Sequence, residues 1–176
     1  NIIEPIVDYH YFDIRAFIYF NLIRKELRYG TKLYDFCEKV RKNGSQTEET
    51  LLCELQMAEK LEDFGKALEI TTMMMNNSKR TGVFVEHHLM ALYKNKKKDD
   101  IAQFYPHLKE YVFDNVNSIK NIFTVYLLVD MYVEALDFLY AQVEVGISQE
   151  LRDFYYQASM NKEIGNLVHK QYDVIE

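Results

Sequence analysis

The sequence predicts an all-α protein, about five helical hairpins stacked as an α-solenoid, with residues 1–176 forming one domain of a longer array or chain. Three observations predict it. Chain breakers are scarce, 2 prolines and 6 glycines, while Tyr 14, Phe 11 and Met 7 supply bulk without long valine–isoleucine runs. Apolar residues recur at i, i+3 and i+4, the spacing of one helix face. Similar short stretches return about every 35 residues, the mark of stacked helical hairpins.

The recurrence is visible in RYGTKLYDF (28–36), EDFGKALEI (62–70), KDDIAQFYP (98–106) and DMYVEALDF (130–138). An aromatic stands at Tyr29, Phe64 and Tyr132, with Asp99 interrupting the third copy. Three residues on come Lys32, Ala67, Ala102 and Ala135, at spacings of 35, 35 and 33. A small residue there lets two helices cross close to a tight turn. A large one at Ala67, Ala102 or Ala135 is expected to cost about 1–3 kcal/mol by overpacking.

Helices are predicted in pairs: 10–27 with 30–43, 48–61 with 64–77, 83–95 with 99–113, 117–128 with 132–145, and 149–160 with 163–174. Core faces are marked by Leu51, Leu55 and Ala58, by Leu89, Leu92 and Tyr93, and by Ile119, Ile122, Phe123 and Tyr126. One hairpin cannot bury its apolar face alone, so neighbours must stack. Phe154, Tyr155 and Tyr156 read as buried, implying further repeats or a partner beyond them.

The net charge of −6 and pI of about 5.4 argue against a protein that lives on non-specific phosphate contacts. Cys37 and Cys53 are too few for a disulfide framework or a zinc site and read as reduced, buried thiols. No apolar run approaches the ~20 residues of a membrane helix. The first residue is Asn1, so a targeting segment is expected to lie outside this sequence.

Asp63-Phe64-Gly65 is the tripeptide of a kinase activation segment, but no glycine-rich phosphate loop or catalytic His-Arg-Asp accompanies it. Its place in the recurrence makes Asp63 a turn residue. His87-His88 beside Glu86 point about 100° apart on a helix and cannot converge on one metal ion; one half-buried and one solvated ring are expected. Of Met73-Met74-Met75, one or two should enter the core. No nucleophile with a base and no paired apolar carboxylates occur, so no enzyme, cofactor, metal or small-molecule substrate is expected.

The segments 36–52, 73–95 and 141–156, each passing from a second helix through a polar link to the next first helix, resemble pentatricopeptide (PPR) repeats. Tetratricopeptide (TPR) repeats, with a period of 34, are the alternative. The resemblance implies a right-handed superhelix that binds single-stranded RNA in organelles. It places the protein in the mitochondrial matrix, in RNA metabolism or translation, directly or within a ribonucleoprotein such as the mitochondrial ribosome. A TPR-like chain would instead be a cytoplasmic protein–protein scaffold. Carried over, the base-reading positions are Cys53, Glu86 and Tyr155, with linker positions Glu48, Thr81 and Glu150. Phosphate contact needs cations more than base readers. Arg24, Lys25 and Arg28, with Lys94, Lys96, Lys97 and Lys98, are therefore the RNA-binding candidates, with Glu86 and His87 beside them. Protein partners are expected as well.

Overall fold

In the computed structural model the described residues are 48–77, 82–146 and 148–175, and they are all-α. The chain divides into two compact units, with the boundary between Ser78 and Lys79. The predicted 10–27 and 30–43 pair, with Arg24, Lys25, Arg28, Tyr29, Lys32 and Cys37, lies outside the described residues.

The first unit contains a hairpin of α1 (Glu48–Lys60) and α2 (Phe64–Asn77). Leu51, Leu55, Met57 and Ala58 of α1 and Ala67, Ile70 and Met74 of α2 are buried. Of the methionine run, Met74 enters the core while Met73 and Met75 are half-buried. Asp63 accepts a hydrogen bond from the Lys66 backbone N–H (3.1 Å), capping α2. Glu54, 1% exposed, lies 3.9 Å from the Lys66 ammonium, which offsets the cost of burying a carboxylate.

The second unit holds α3 (Gly82–Lys94), α4 (Lys98–Phe104), a 3₁₀ segment (Tyr105–Glu110), α5 (Val116–Leu128), α6 (Tyr132–Glu144), α7 (Gln149–Met160) and α8 (Lys162–Ile175). Within it α3 packs on α5, α5 on α6, and α6 on both α7 and α8. Phe123 of α5 and Phe154 of α7 stand edge to face at 5.5 Å. Leu89, Ile119, Ile122, Tyr126, Ala135, Leu139 and Leu151 are essentially without exposure.

Three hairpin turns, those after α1, α3 and α5, are built alike. Leu61, Asn95 and Val129 donate to the carbonyls of Met57, Ala91 and Val125; Asp63, Lys97 and Met131 donate back to Ala58, Leu92 and Tyr126. Between them Glu62, Lys96 and Asp130 adopt positive φ of 56°, 58° and 63°. This is the 6→1 closure of a helix C-terminus, which favours glycine at the left-handed position. Equivalent turn residues stand 34 apart, not 35 and 33.

That interval corrects one assignment. Ala102 is exposed, and Ile101, 0% exposed, holds the place of Ala67 and Ala135. What these positions share is burial, not small size. Likewise Lys98, not Asp99, opens α4 where Phe64 and Tyr132 open α2 and α6.

A second correction concerns the helix expected over 99–113. It stops at Phe104 and continues as 3₁₀ because Pro106 has no N–H for the next rung. The chain then turns extended at Tyr111, and Phe113 lies across Gly82, where any Cβ would overlap its ring. The same Phe113 ring stands edge-on to Phe138 at 5.4 Å.

Asn115 caps α5, Ser148 caps α7 and Asn161 caps α8. The Met131 side chain cannot cap α6, and Gln171 of α8 does it instead, accepting from the Tyr132 and Val133 N–H groups at 2.9 and 3.2 Å. The amide of Gln171 donates to Glu134 at 2.8 Å. Tyr156 is 69% exposed and Phe154 and Tyr155 are half-buried, so the expectation that all three are buried does not hold. No helix among the described residues is long and apolar enough to cross a membrane.

Candidate nucleic-acid interface

Two charged regions of the second unit carry the candidate residues. The first is the exposed side of α3, α5 and α7. Glu86, half-buried on α3, accepts from Ser118 Oγ and from Asn121 Nδ2 of α5, both at 2.5 Å. Ser118 itself is 6% exposed. Glu86 is therefore a tie between helices, its carboxylate oxygens already occupied by donors. One helix further on, Lys120 of α5 reaches Glu150 of α7 at 2.7 Å and sits 5.0 Å above the Phe154 ring. The resemblance placed Glu150 in a linker; here it is the second residue of α7 and ion-paired. Glu48 opens α1 and is exposed. Thr81 and the side chain of Cys53 lie outside the described residues. Tyr155 pairs with Tyr140 at 5.5 Å.

His87 and His88 are both half-buried, so neither is the solvated ring expected. His88 stands edge-on to Phe104 at 5.8 Å. Burial pushes its pKa below the ordinary 6.5, with the Asp100 carboxylate opposing.

The second region is the turn end around Lys94, Lys96, Lys97 and Lys98. Lys94 closes α3, where a cation favours the negative end of the helix dipole. Lys96 holds the left-handed position of the turn at a cost of order 1 kcal/mol that glycine would avoid. Lys97, the residue before α4, lies 3.9 Å from Asp100 in the first turn of that helix. Lys98 opens α4, a poor place for a cation, and its ammonium is met by Asp130 of the next turn at 2.9 Å. The Tyr132 hydroxyl donates to the same carboxylate at 2.8 Å. These bonds, from Lys98 first, hold the Asp130 carboxyl below its ordinary range, and the carboxylate in turn raises Tyr132.

Between the two turns lies a cleft of about 390 Å³ lined by Tyr93, Lys94, Lys96, Lys98, Leu128 and Val129. Val129 is 3% exposed and forms its floor; Leu128, half exposed, is an apolar wall; the three lysines are exposed at its mouth. Three lysines beside apolar lining suit an anion with an apolar body. Nothing in the arrangement supplies a nucleophile with a general base.

The structure thus gathers Lys94, Lys96 and Lys98 around one cleft and places Glu86 and His87 on α3. Sequence reasoning missed Leu128, Val129 and Asp130 at the cleft, and Ser118, Asn121 and Lys120 between the helices. A signal existed for Asp130, Ser118 and Lys120: Lys98 and Asp130, Glu86 and Ser118, and Lys120 and Glu150 are complementary groups 30 to 32 residues apart, close to one hairpin interval. No protein-family model matches the chain, and comparison with curated proteins and with solved structures returns no match either.

Proposed function

We propose that this protein is a non-enzymatic helical-repeat binding protein, a right-handed superhelix of PPR type, that holds RNA by its phosphates without reading its sequence. The resemblance of residues 36–52, 73–95 and 141–156 to PPR repeats suggests a setting in organellar gene expression, as part of a ribonucleoprotein in the mitochondrial matrix. One observation carries the RNA reading: Lys94, Lys96 and Lys98 converge on a single cleft while the protein as a whole is acidic. Cations concentrated against the net charge mark a local anion site. Glu86 and Glu150, already tied to neighbouring helices, support backbone contact over base readout.

The test is binding of a mixed single-stranded RNA pool by fluorescence anisotropy across a salt series. Affinity is expected to fall steeply with salt, and reversing charge at both Lys94 and Lys96 (K94E/K96E) should weaken it at least tenfold while flattening the salt slope. A second reading has its own support. The 34-residue interval between turns equals the TPR period, and the net charge of −6 suits a protein scaffold. No RNA retention at low salt leaves that scaffold reading standing alone.

A further inference from the structure

The geometry points to a defined ligand for the lysine-mouthed cleft: one unpaired nucleotide of an RNA strand, its base inward on Val129, Leu128 and Tyr93 and its phosphate outward among Lys94, Lys96 and Lys98. This rests on the RNA reading above and adds how the strand is held. A site for phosphate alone would be a concavity of N–H donors and cations. This one is lined by two aliphatic side chains and an aromatic one beside its three lysines. Phosphate cannot use that floor, whereas a nucleobase can, since every base has an apolar, stackable face.

Size agrees. About 390 Å³ lies within the range of pockets that enclose small organic ligands. A duplex cannot reach the floor, because its bases are stacked inside and only its phosphates would meet the lysines. Asp130 fits the same picture. It holds Lys98 from one side at 2.9 Å and is itself anchored by Tyr132, so Lys98 is kept at the mouth of the cleft. The ligand phosphate then meets a net cationic rim rather than an unshielded triple charge, which favours a diester monoanion carrying a base.

The experiment uses the whole chain and four probes in anisotropy competition: a mixed 12-nucleotide single-stranded RNA, the corresponding duplex, inorganic polyphosphate of equal charge, and free nucleoside monophosphate. Two variants accompany them, Leu128→Ser and Lys96→Glu. Leu128 is half exposed, so its replacement should leave the melting curve in place, which circular dichroism checks. Losing the apolar wall should weaken single-strand binding roughly tenfold and leave polyphosphate binding unchanged. Lys96→Glu should weaken both.

If single-stranded RNA binds but L128S is indifferent, or if duplex or polyphosphate competes as well at equal charge, the base does not enter the cleft; the inference falls and the phosphate reading survives. Competition by free nucleotide at the concentration of the strand would assign the cleft to a mononucleotide and overturn the claim of a strand. Absence of all nucleic-acid binding would overturn both.

Discussion

The side of the second unit formed by α3, α5 and α7 and its turn end at residues 94–98 and 128–132 are both charged, but they use charge in opposite ways. On the helix side Glu86 is met by Ser118 and Asn121, and Lys120 by Glu150 and the Phe154 ring. Charge there joins one helix to the next. At the turn end three lysines share a cleft, and the ion pair of Lys98 with Asp130 reaches from one turn to the other. That pair is exposed on both sides and contributes about 0–1 kcal/mol. A charged residue on a helical hairpin is thus informative only when its neighbour one interval away is known.

The largest effects should come from beneath the turn end. Ala135 is fully buried where α6 leaves its turn, whereas Ala102 is exposed. Ala135→Leu should lower stability by about 1–3 kcal/mol through overpacking, and Ala102→Leu should change it by no more than about 0.5 kcal/mol. Chemical denaturation of the pair decides whether the 34-residue register is right; equal losses would restore the other register.

Next in size is the tie on the helix side. Glu86→Ala removes an acceptor from a Ser118 hydroxyl that is 6% exposed and should cost about 1–3 kcal/mol. Glu86→Gln keeps one amide oxygen and adds a donor, and should recover much of the loss. RNA affinity should be unchanged in both once folding is allowed for. A variant that kept its stability but lost RNA would move the binding site to the helix side and reverse the comparison.

How much of this was readable depends on which physical effect set each feature. Helix existence and most ends follow from apolar spacing and local caps, so 64–77 and 149–160 come out of the residues alone and others shift by a residue. The 99–113 helix fails at Pro106, whose missing N–H outweighs the apolar pattern around it. The misplaced Ala102 has a subtler cause. The lysine run from Lys96 to Lys98 hides the turn, because the left-handed residue is Lys96 and not a glycine. Conformation at that position is set by backbone closure, which leaves no mark in composition. The candidate cleft was half legible. A basic run announces its cations, but its apolar floor at Leu128 and Val129 comes from the next hairpin and needs the fold.

The smallest effect separates the two regions by pH. His88, on α3 against Phe104, has its pKa lowered from 6.5 chiefly by burial. The folded state therefore takes up a proton less readily than the unfolded chain, and stability should fall as pH drops through about 6.5, levelling off below the folded-state value. Asp130, at the turn end, is held below 3.8 chiefly by the hydrogen bond from Lys98. Its contribution is present above 3.8 and is lost only as pH falls through the lower, folded-state value, and at an exposed site it is slight. Thermal melts from pH 8 to 3 should thus show two separate declines. His88→Phe should flatten the upper one alone and Asp130→Asn the lower one alone. If Asp130→Asn also moved the upper decline, the turn end and the helix side would be one coupled electrostatic unit, and the contrast between them would fail.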